Sequence, residues 1–280
     1  MKTDLFPINY FKSVWSPIQA FKNRHQLNWF HLVIVLLFLN GLMTIPVTMN
    51  YTKLDSISFE RFYPNAVKII DNTNINALGD IDYQNGEMLF KEPFISENEF
   101  GIMAGGLSLD DKENLLEKDQ YILFEPNQLI IKESNMAEAS ILYTKDFSLQ
   151  GFTQAEEVVN EISRQWFKQN KIFIVMIFSV MISAFLFVIV LFLTLGSAFF
   201  LYLTKKSSLS SIKTFKESVN LILNLLTLPT IIAMIFSLFH FDITLMLSIQ
   251  TLGLVLMLII VYYKTKLNDN NILNTEQMIL

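Results

Sequence analysis

Few residues in this 280-residue chain are of a type and spacing to do chemistry. It has three histidines, His25, His31 and His240, and none has a second histidine at metal-ligand spacing. There is no cysteine, which excludes a thiolate nucleophile, a thiolate metal site, a disulfide and a lipoprotein anchor. No Walker A run, His-Glu-x-x-His or Gly-x-Ser-x-Gly occurs. Gly101-Ile102-Met103-Ala104-Gly105-Gly106 has the glycines of a phosphate loop but no basic residue after it. Asp110, Asp111 and Glu113 have oxygens for a cation, yet they miss the EF-hand pattern, and acids favour the start of a helix in any case. What remains is a set of amides inside apolar stretches: Asn220, Asn224 and Gln250. An amide facing lipid is costly, so all three are expected to face protein, as packing contacts or as the lining of a polar cavity. The expectation is no catalytic residue, no metal and no cofactor.

The elements that carry these residues are four long apolar stretches, at about residues 29–49, 172–203, 219–239 and 243–263. Each has the roughly 20 residues that an α-helix needs to cross ~30 Å of hydrocarbon. None has Asp, Glu, Lys or Arg in its middle, which argues against an ion-coupled carrier. The second stretch has 32 residues, ~48 Å as one helix. It must tilt or break, and Gly196-Ser197 is the predicted kink or end. Pro229 is the second predicted kink, since it removes one helical hydrogen bond and crowds the carbonyl of Leu225, with Asn224 and Thr227 close enough to help satisfy the freed groups. The first stretch is longer than a signal-peptide core and is followed by no small-residue cleavage site, so it reads as an uncleaved anchor.

Orientation follows from the basic residues. Lys2, Lys12, Lys22 and Arg24 precede the first stretch, against Asp4 alone, Lys205, Lys206, Lys213 and Lys216 lie between the second and third, and Lys264 and Lys266 follow the fourth. The link around His240-Phe241-Asp242 has none. Positive-inside logic places both termini in the cytoplasm and the segment between the first two stretches outside. That segment, residues 51–170, holds 21 of the 26 acidic residues and 10 of the 21 basic ones, a formal charge of −11. Its acidity repels nucleic acid.

The resulting division is a cytoplasmic amphipathic segment (1–27), a first transmembrane helix (28–50), an extracytoplasmic α+β domain (51–170), a second helix (171–204), a cytoplasmic loop (205–217), third and fourth helices (218–240, 241–263) and a cytoplasmic tail (264–280). The amphipathic segment, bounded by Pro7 and Pro17, suits the lipid headgroup region or a contact with the cytoplasmic ends of the spans. Within the outer domain, residues 54–70 read as helix interrupted or ended by Pro64, and 110–118 as a short helix. Strand-like runs lie at 77–83, 87–90, 100–103, 121–124, 128–132 and 141–143. Asn85-Gly86 is a strong hairpin signal and Glu125-Pro126-Asn127 a second turn. Antiparallel pairing is expected. Thr153-Gln154-Ala155-Glu156 fits a capping box at the start of a further helix. The fold class is thus a four-helix membrane protein with a small α+β extracytoplasmic domain inserted between helices one and two.

Several stretches together resemble a bacterial family known as domain of unknown function 1189. They are Phe11-Lys12-Ser13-Val14-Trp15-Ser16-Pro17, the first apolar stretch closing in Pro46, Asn85-Gly86-Glu87-Met88-Leu89-Phe90 with Lys91-Glu92-Pro93-Phe94-Ile95, Tyr121-Ile122-Leu123-Phe124 running into residues 128–132, and Leu228-Pro229-Thr230. The resemblance implies a protein of Gram-positive bacteria. Some members of that family are named maltodextrin-utilisation protein, and its membrane part is loosely similar to Yip1-like proteins. It supplies no catalytic residue.

Three functions fit these observations. The first is a non-enzymatic membrane protein, accessory or sensory at the cell surface and supporting maltodextrin uptake or another envelope process, possible partners being other membrane proteins, a second copy, membrane lipid and a carbohydrate stacked on Tyr83, Phe94, Phe100 or Tyr121. The second is a transporter or permease component with a polar cavity at Asn220, Asn224 and Gln250. The third is an envelope enzyme acting on lipid or polymer.

Overall fold

A computed structural model of the protein describes residues 6–79, 81–207 and 210–272. The parts of the expected amphipathic segment, loop and tail at 1–5, 208–209 and 273–280 lie outside the described residues. The chain divides into two compact units, a helical one formed by Met1–Thr52 with Val175–Leu280, and a mixed one formed by Lys53–Ile174.

The helical unit begins with two short helices, α1 (Ile8–Val14) and α2 (Pro17–Lys22). Proline at the first position of α2 and the Ser16 hydroxyl, which accepts from Gln19 N at 3.4 Å, restart the chain there. The segment is not an isolated surface helix. Tyr10, Val14, Ala20 and Phe21 are fully buried in the same core as Leu39, Leu221, Leu225 and Val261. This is the packed alternative for an amphipathic segment. Helix α3 (Trp29–Thr52) follows, with Pro46 inside it.

Three more long helices complete the set. Among the described residues, helix α6 (Ala155–Leu203), α7 (Phe215–Phe239) and α8 (Ile243–Thr265) join α3 as four helices long and apolar enough to cross a membrane. Helix α6 is continuous for 49 residues, so the capped helix expected near Thr153 and the second apolar stretch are one element. It does not end at Gly196, whose neighbours on both sides are helical. Long runs of Phe, Leu, Ile and Val around that glycine sustain the backbone bonds that a single Gly weakens by only ~1 kcal/mol. Residues 211–214 precede the helix without joining it. Thr214 caps α7 instead, its hydroxyl accepting from Glu217 N at 3.3 Å. Asp242 caps α8 in the same way through Leu245 N at 2.8 Å.

Helix α7 is the centre of this unit, with most of its first sixteen residues buried. It packs against α8, α3, α1 and α2. Pro229 stays inside the helix and seats against Gly253 of α8, where any Cβ would come within 2.6 Å of the proline ring. The missing side chain at Gly253 thus lets the α8 backbone approach the proline ring closely.

The mixed unit opens with no α-helix at 54–70. Only two 3-10 turns form, Phe59–Arg61 and Val67–Ile69. Pro64 forbids the helical bond between them, and Phe59, Ala66, Ile69 and Ile70 are drawn into the core as separate anchors. A short helix α4 (Asn76–Gly79) occupies much of the run expected as strand at 77–83. The strands β1 (Asp82–Gln84) and β2 (Glu87–Leu89) then pair around Asn85-Gly86, both at positive φ as the hairpin signal requires.

A five-stranded sheet runs in the order β3 (Phe94–Asn98), β4 (Gly101–Gly105), β5 (Gln120–Phe124), β6 (Gln128–Glu133) and β7 (Ala139–Leu142). All its pairs are antiparallel except β4 with β5, which is parallel and corrects the expectation of antiparallel pairing throughout. A parallel pair needs a crossover, and α5 (Leu109–Leu116) supplies it. This explains why residues 121–124 form an unbroken apolar run. Ile122 and Phe124 face one core while Tyr121 and Leu123 face a second, beneath Leu115 of α5. The start of α6 closes the first core with Val158, Ile162 and Trp166.

Candidate functional site

The three amides expected to form one polar cluster are all buried, at 0%, 1% and 0% exposure for Asn220, Asn224 and Gln250. They do not form one cluster through shared hydrogen bonds. Asn224 donates to Ala20 O of α2 at 3.4 Å, whereas Gln250 donates to Thr230 Oγ1 at 2.8 Å. Those two points on α7 are six residues, about 9 Å, apart along the helix. Asn220 makes no side-chain hydrogen bond among the described residues. Nor do Asn224 and Thr227 serve the carbonyl that Pro229 crowds. The Thr227 hydroxyl returns to Leu223 O at 2.8 Å and also meets the Tyr10 hydroxyl, and Thr230 returns to Leu226 O at 2.8 Å. Buried amides tied to backbone and hydroxyl groups act as interhelical contacts.

A second polar rail joins α3 to α6. Asn40 Nδ2 donates to Ser183 Oγ at 2.9 Å, Thr44 Oγ1 to Ser183 Oγ at 3.1 Å and Thr48 Oγ1 to Ser179 Oγ at 3.0 Å. The spacing of four residues on both helices puts one face of each against the other. Small hydroxyl residues permit the close approach that such contacts need. An apolar recess of about 580 Å³ lies beside this rail, lined by Leu37, Val180, Ala184 and Phe187 among others.

The strongest polar knot is centred on Arg24, a buried side chain at 2% exposure. Its guanidinium makes a bidentate pair with Asp269, at 2.9 and 2.7 Å, and donates to Phe21 O at 2.9 Å. Its Nε lies 3.7 Å from Glu217 Oε2, and its plane stacks over the Phe21 ring. Glu217 in turn accepts from Lys213 N at 3.0 Å and from the Thr214 hydroxyl at 2.8 Å. Ser211 Oγ accepts from Asp269 N at 3.0 Å. Three segments far apart in sequence, 21–25, 211–217 and 265–269, are thereby held by one cation. Burial alone would raise the Asp269 carboxyl, but the hydrogen bonds and charge of Arg24, with His25 and Ser211, outweigh it and hold it below the usual range.

In the mixed unit, residues with chemical potential are taken up by structure. Asp110 and Asp111 sit in the first turn of α5, where Ser108 caps the helix and donates to Asp111 Oδ2 at 2.7 Å. No group of three or more His, Asp or Glu able to hold a metal occurs among the described residues. Residues 101–105 are strand β4, paired on both sides, rather than an open loop. Gly106 has a φ of +67°, and a Cβ there would lie 2.8 Å from Phe90, so the loop wraps an aromatic side chain. Of the aromatics considered for sugar stacking, Tyr121 is 1% exposed and donates to Glu138, and Tyr83 packs edge-on to Phe147. Phe94 packs on Phe124, and the Lys68 ammonium lies over Phe100.

The chain is 30% identical over 268 residues to maltodextrose utilization protein MalA of Streptococcus pneumoniae, covering 95% of this chain and 98% of that one. This chain belongs to the MalA family. It is also 27% identical over 282 residues to the putative maltodextrin utilization protein YvdJ of Bacillus subtilis, covering 95% and 92% of the two chains. No protein-family model matches, so membership of family 1189 and the Yip1-like likeness are not shown. No solved structure matches either.

For this MalA-family chain, sequence reasoning singled out Asn220, Asn224 and Gln250 and missed Arg24, Asp269, Glu217 and the Asn40–Ser183 rail. The Asn-x-x-x-Thr-x-x-x-Thr spacing of residues 40, 44 and 48 was a readable signal for a polar helix face. The Arg24 pair had none, because its partner lies 245 residues away. The capping reach at α6 was read one residue short. Glu157, not Glu156, accepts from Thr153 N at 2.8 Å and Gln154 N at 3.1 Å.

Proposed function

We propose that the protein is a multi-pass membrane protein without catalytic activity, whose unit at residues 53–174 lies outside the cell and which supports maltodextrin utilisation as an accessory or sensory component. The observation that carries this reading is the end-to-end similarity to MalA, a protein named for maltodextrose utilization, over 95% of the chain. The four apolar helices agree with a membrane location. The buried setting of Asn220, Asn224 and Gln250 weighs against a solute pathway among them. Exposed apolar faces on α6 and α8, including Phe185, Phe192, Leu252 and Leu256, suit lipid or a second membrane protein.

Deleting the gene and following growth on maltodextrin and on glucose tests the physiological link. Slower growth on maltodextrin alone, restored by the intact gene, is expected. Equal growth of mutant and parent on maltodextrin would remove the link.

Orientation is tested separately, and the absence of cysteine makes the test clean. Glu99→Cys, in the turn between β3 and β4, is expected to react with a membrane-impermeant maleimide on intact cells. Lys206→Cys is expected to react only after permeabilisation. The reverse pattern would place the mixed unit in the cytoplasm.

A further inference from the structure

Two adjoining recesses lie where α6 and α8 end. The first, about 420 Å³, is polar, with Thr204, Ser207, Ser210, Lys266 and Asn268 in its wall. The second, about 460 Å³, is almost wholly apolar and lies between Ser197, Phe200 and Leu201 of α6 and Leu258 and Ile259 of α8. Tyr262 and Leu267 line both, so the polar recess and the apolar one lie side by side.

The charges around the polar recess have one sign. Lys266 lines it, and Lys205 and Lys206 share a 3-10 turn with Thr204. Among the described residues no acidic one lines it, and the nearest in sequence, Asp269, is held by Arg24. Lys266 ends α8 in the left-handed conformation, φ +50°, and Leu267 follows at +55°. Glycine is the unstrained residue at such a helix end. Lysine instead brings an ammonium to the rim, within 5.3 Å of the Tyr262 ring centroid and 5.1 Å of the Tyr263 ring centroid.

We infer that these joined recesses bind one anionic glycerophospholipid, its phosphate among Lys266 and the neighbouring hydroxyl and amide groups and an acyl chain along the α6–α8 groove. The chemistry calls for an amphiphile. A hydroxyl- and lysine-lined cup recognises a phosphate anion, and the contiguous apolar groove has the surface to hold a chain that a free phosphate lacks. Aromatic residues at the junction suit the boundary between headgroup and hydrocarbon. This assignment rests on the reading that the four helices span a bilayer.

The test uses the intact protein in detergent, titrated with dioleoyl phosphatidylglycerol or with phosphatidylcholine of the same chains, bound lipid being counted by native mass spectrometry. Phosphatidylglycerol is expected to be retained in preference. Lys266→Gly, which relieves the left-handed backbone and so preserves the fold, is expected to weaken that lipid about fivefold, and Lys266→Glu more strongly. Equal retention of both lipids, or an unchanged affinity in both variants, overturns the inference. So does inorganic phosphate that binds as tightly as the lipid in a parallel calorimetric titration, which would mean that the groove contributes nothing. A dimer that Lys266→Glu dissociates would make the groove an interface between copies instead. Release of the protein from membranes by alkaline carbonate would sink the bilayer reading itself, whereas an integral protein with no lipid preference sinks this site alone.

Discussion

Arg24→Ala is expected to destabilise the helical unit by about 3 kcal/mol, because removing one partner leaves buried charge uncompensated. The residue left worst placed is Glu217, whose side chain is only 10% exposed, while that of Asp269 is 52% exposed and regains water. The three segments tied by the guanidinium would lose their common anchor together. Heating the detergent-solubilised intact protein and measuring the fraction that stays monodisperse should show a midpoint lower by roughly 5–10 °C. Arg24→Lys should fall between the two, since a lysine keeps the charge and loses the planar fork that meets both Asp269 oxygens. Combining Arg24→Ala with Asp269→Ala should cost less than the sum of the single changes, as expected of residues in direct contact. A wild-type midpoint for Arg24→Ala would show that the knot does not hold the helix ends.

The second large effect is expected at Glu133, a carboxylate at 5% exposure at the end of β6. It accepts from Asn65 N at 3.0 Å, Asn65 Nδ2 at 3.0 Å and Ala66 N at 2.8 Å. These bonds hold the segment after Pro64, which has no helix of its own to satisfy its backbone. Glu133→Ala strands the buried Ala66 N–H, at a cost of about 1–3 kcal/mol, and also removes the acceptor of the part-buried Asn65 N–H. A loss of about 3 kcal/mol in local stability corresponds to roughly 100-fold faster trypsin cleavage at the exposed Arg61, where cutting follows the open population. Glu133→Gln keeps one acceptor oxygen and should lie between. Unchanged cleavage in Glu133→Ala would mean that Phe59 and Ile69 anchor the segment unaided.

Composition and periodicity were enough for the four apolar helices, since a run of more than twenty apolar residues has one way to satisfy its backbone in lipid. The hairpin at Asn85-Gly86, the turn at Glu125-Pro126-Asn127 and the helix near Asp110 were equally legible, because each depends on residues within a few positions of one another. The failures are of one kind. Residues 54–70 carry a helical pattern but fold as turns, because Glu133 and the core capture their anchors one at a time. Residues 94–98 form a strand that their own composition does not announce, through pairing with β4.

By itself, then, the sequence determined the number of apolar helices, the acidic inserted unit and several of its local turns, but not that the second apolar helix extends back to Ala155. Tertiary structure alone decided that β4 and β5 run parallel, that α1 and α2 pack against α7, and that Arg24 meets Asp269. The physical reason is range. Backbone hydrogen bonding and hydrophobic periodicity act between near neighbours along the chain, while the partner of a buried charge or a paired strand is chosen only when distant segments compete for the same space.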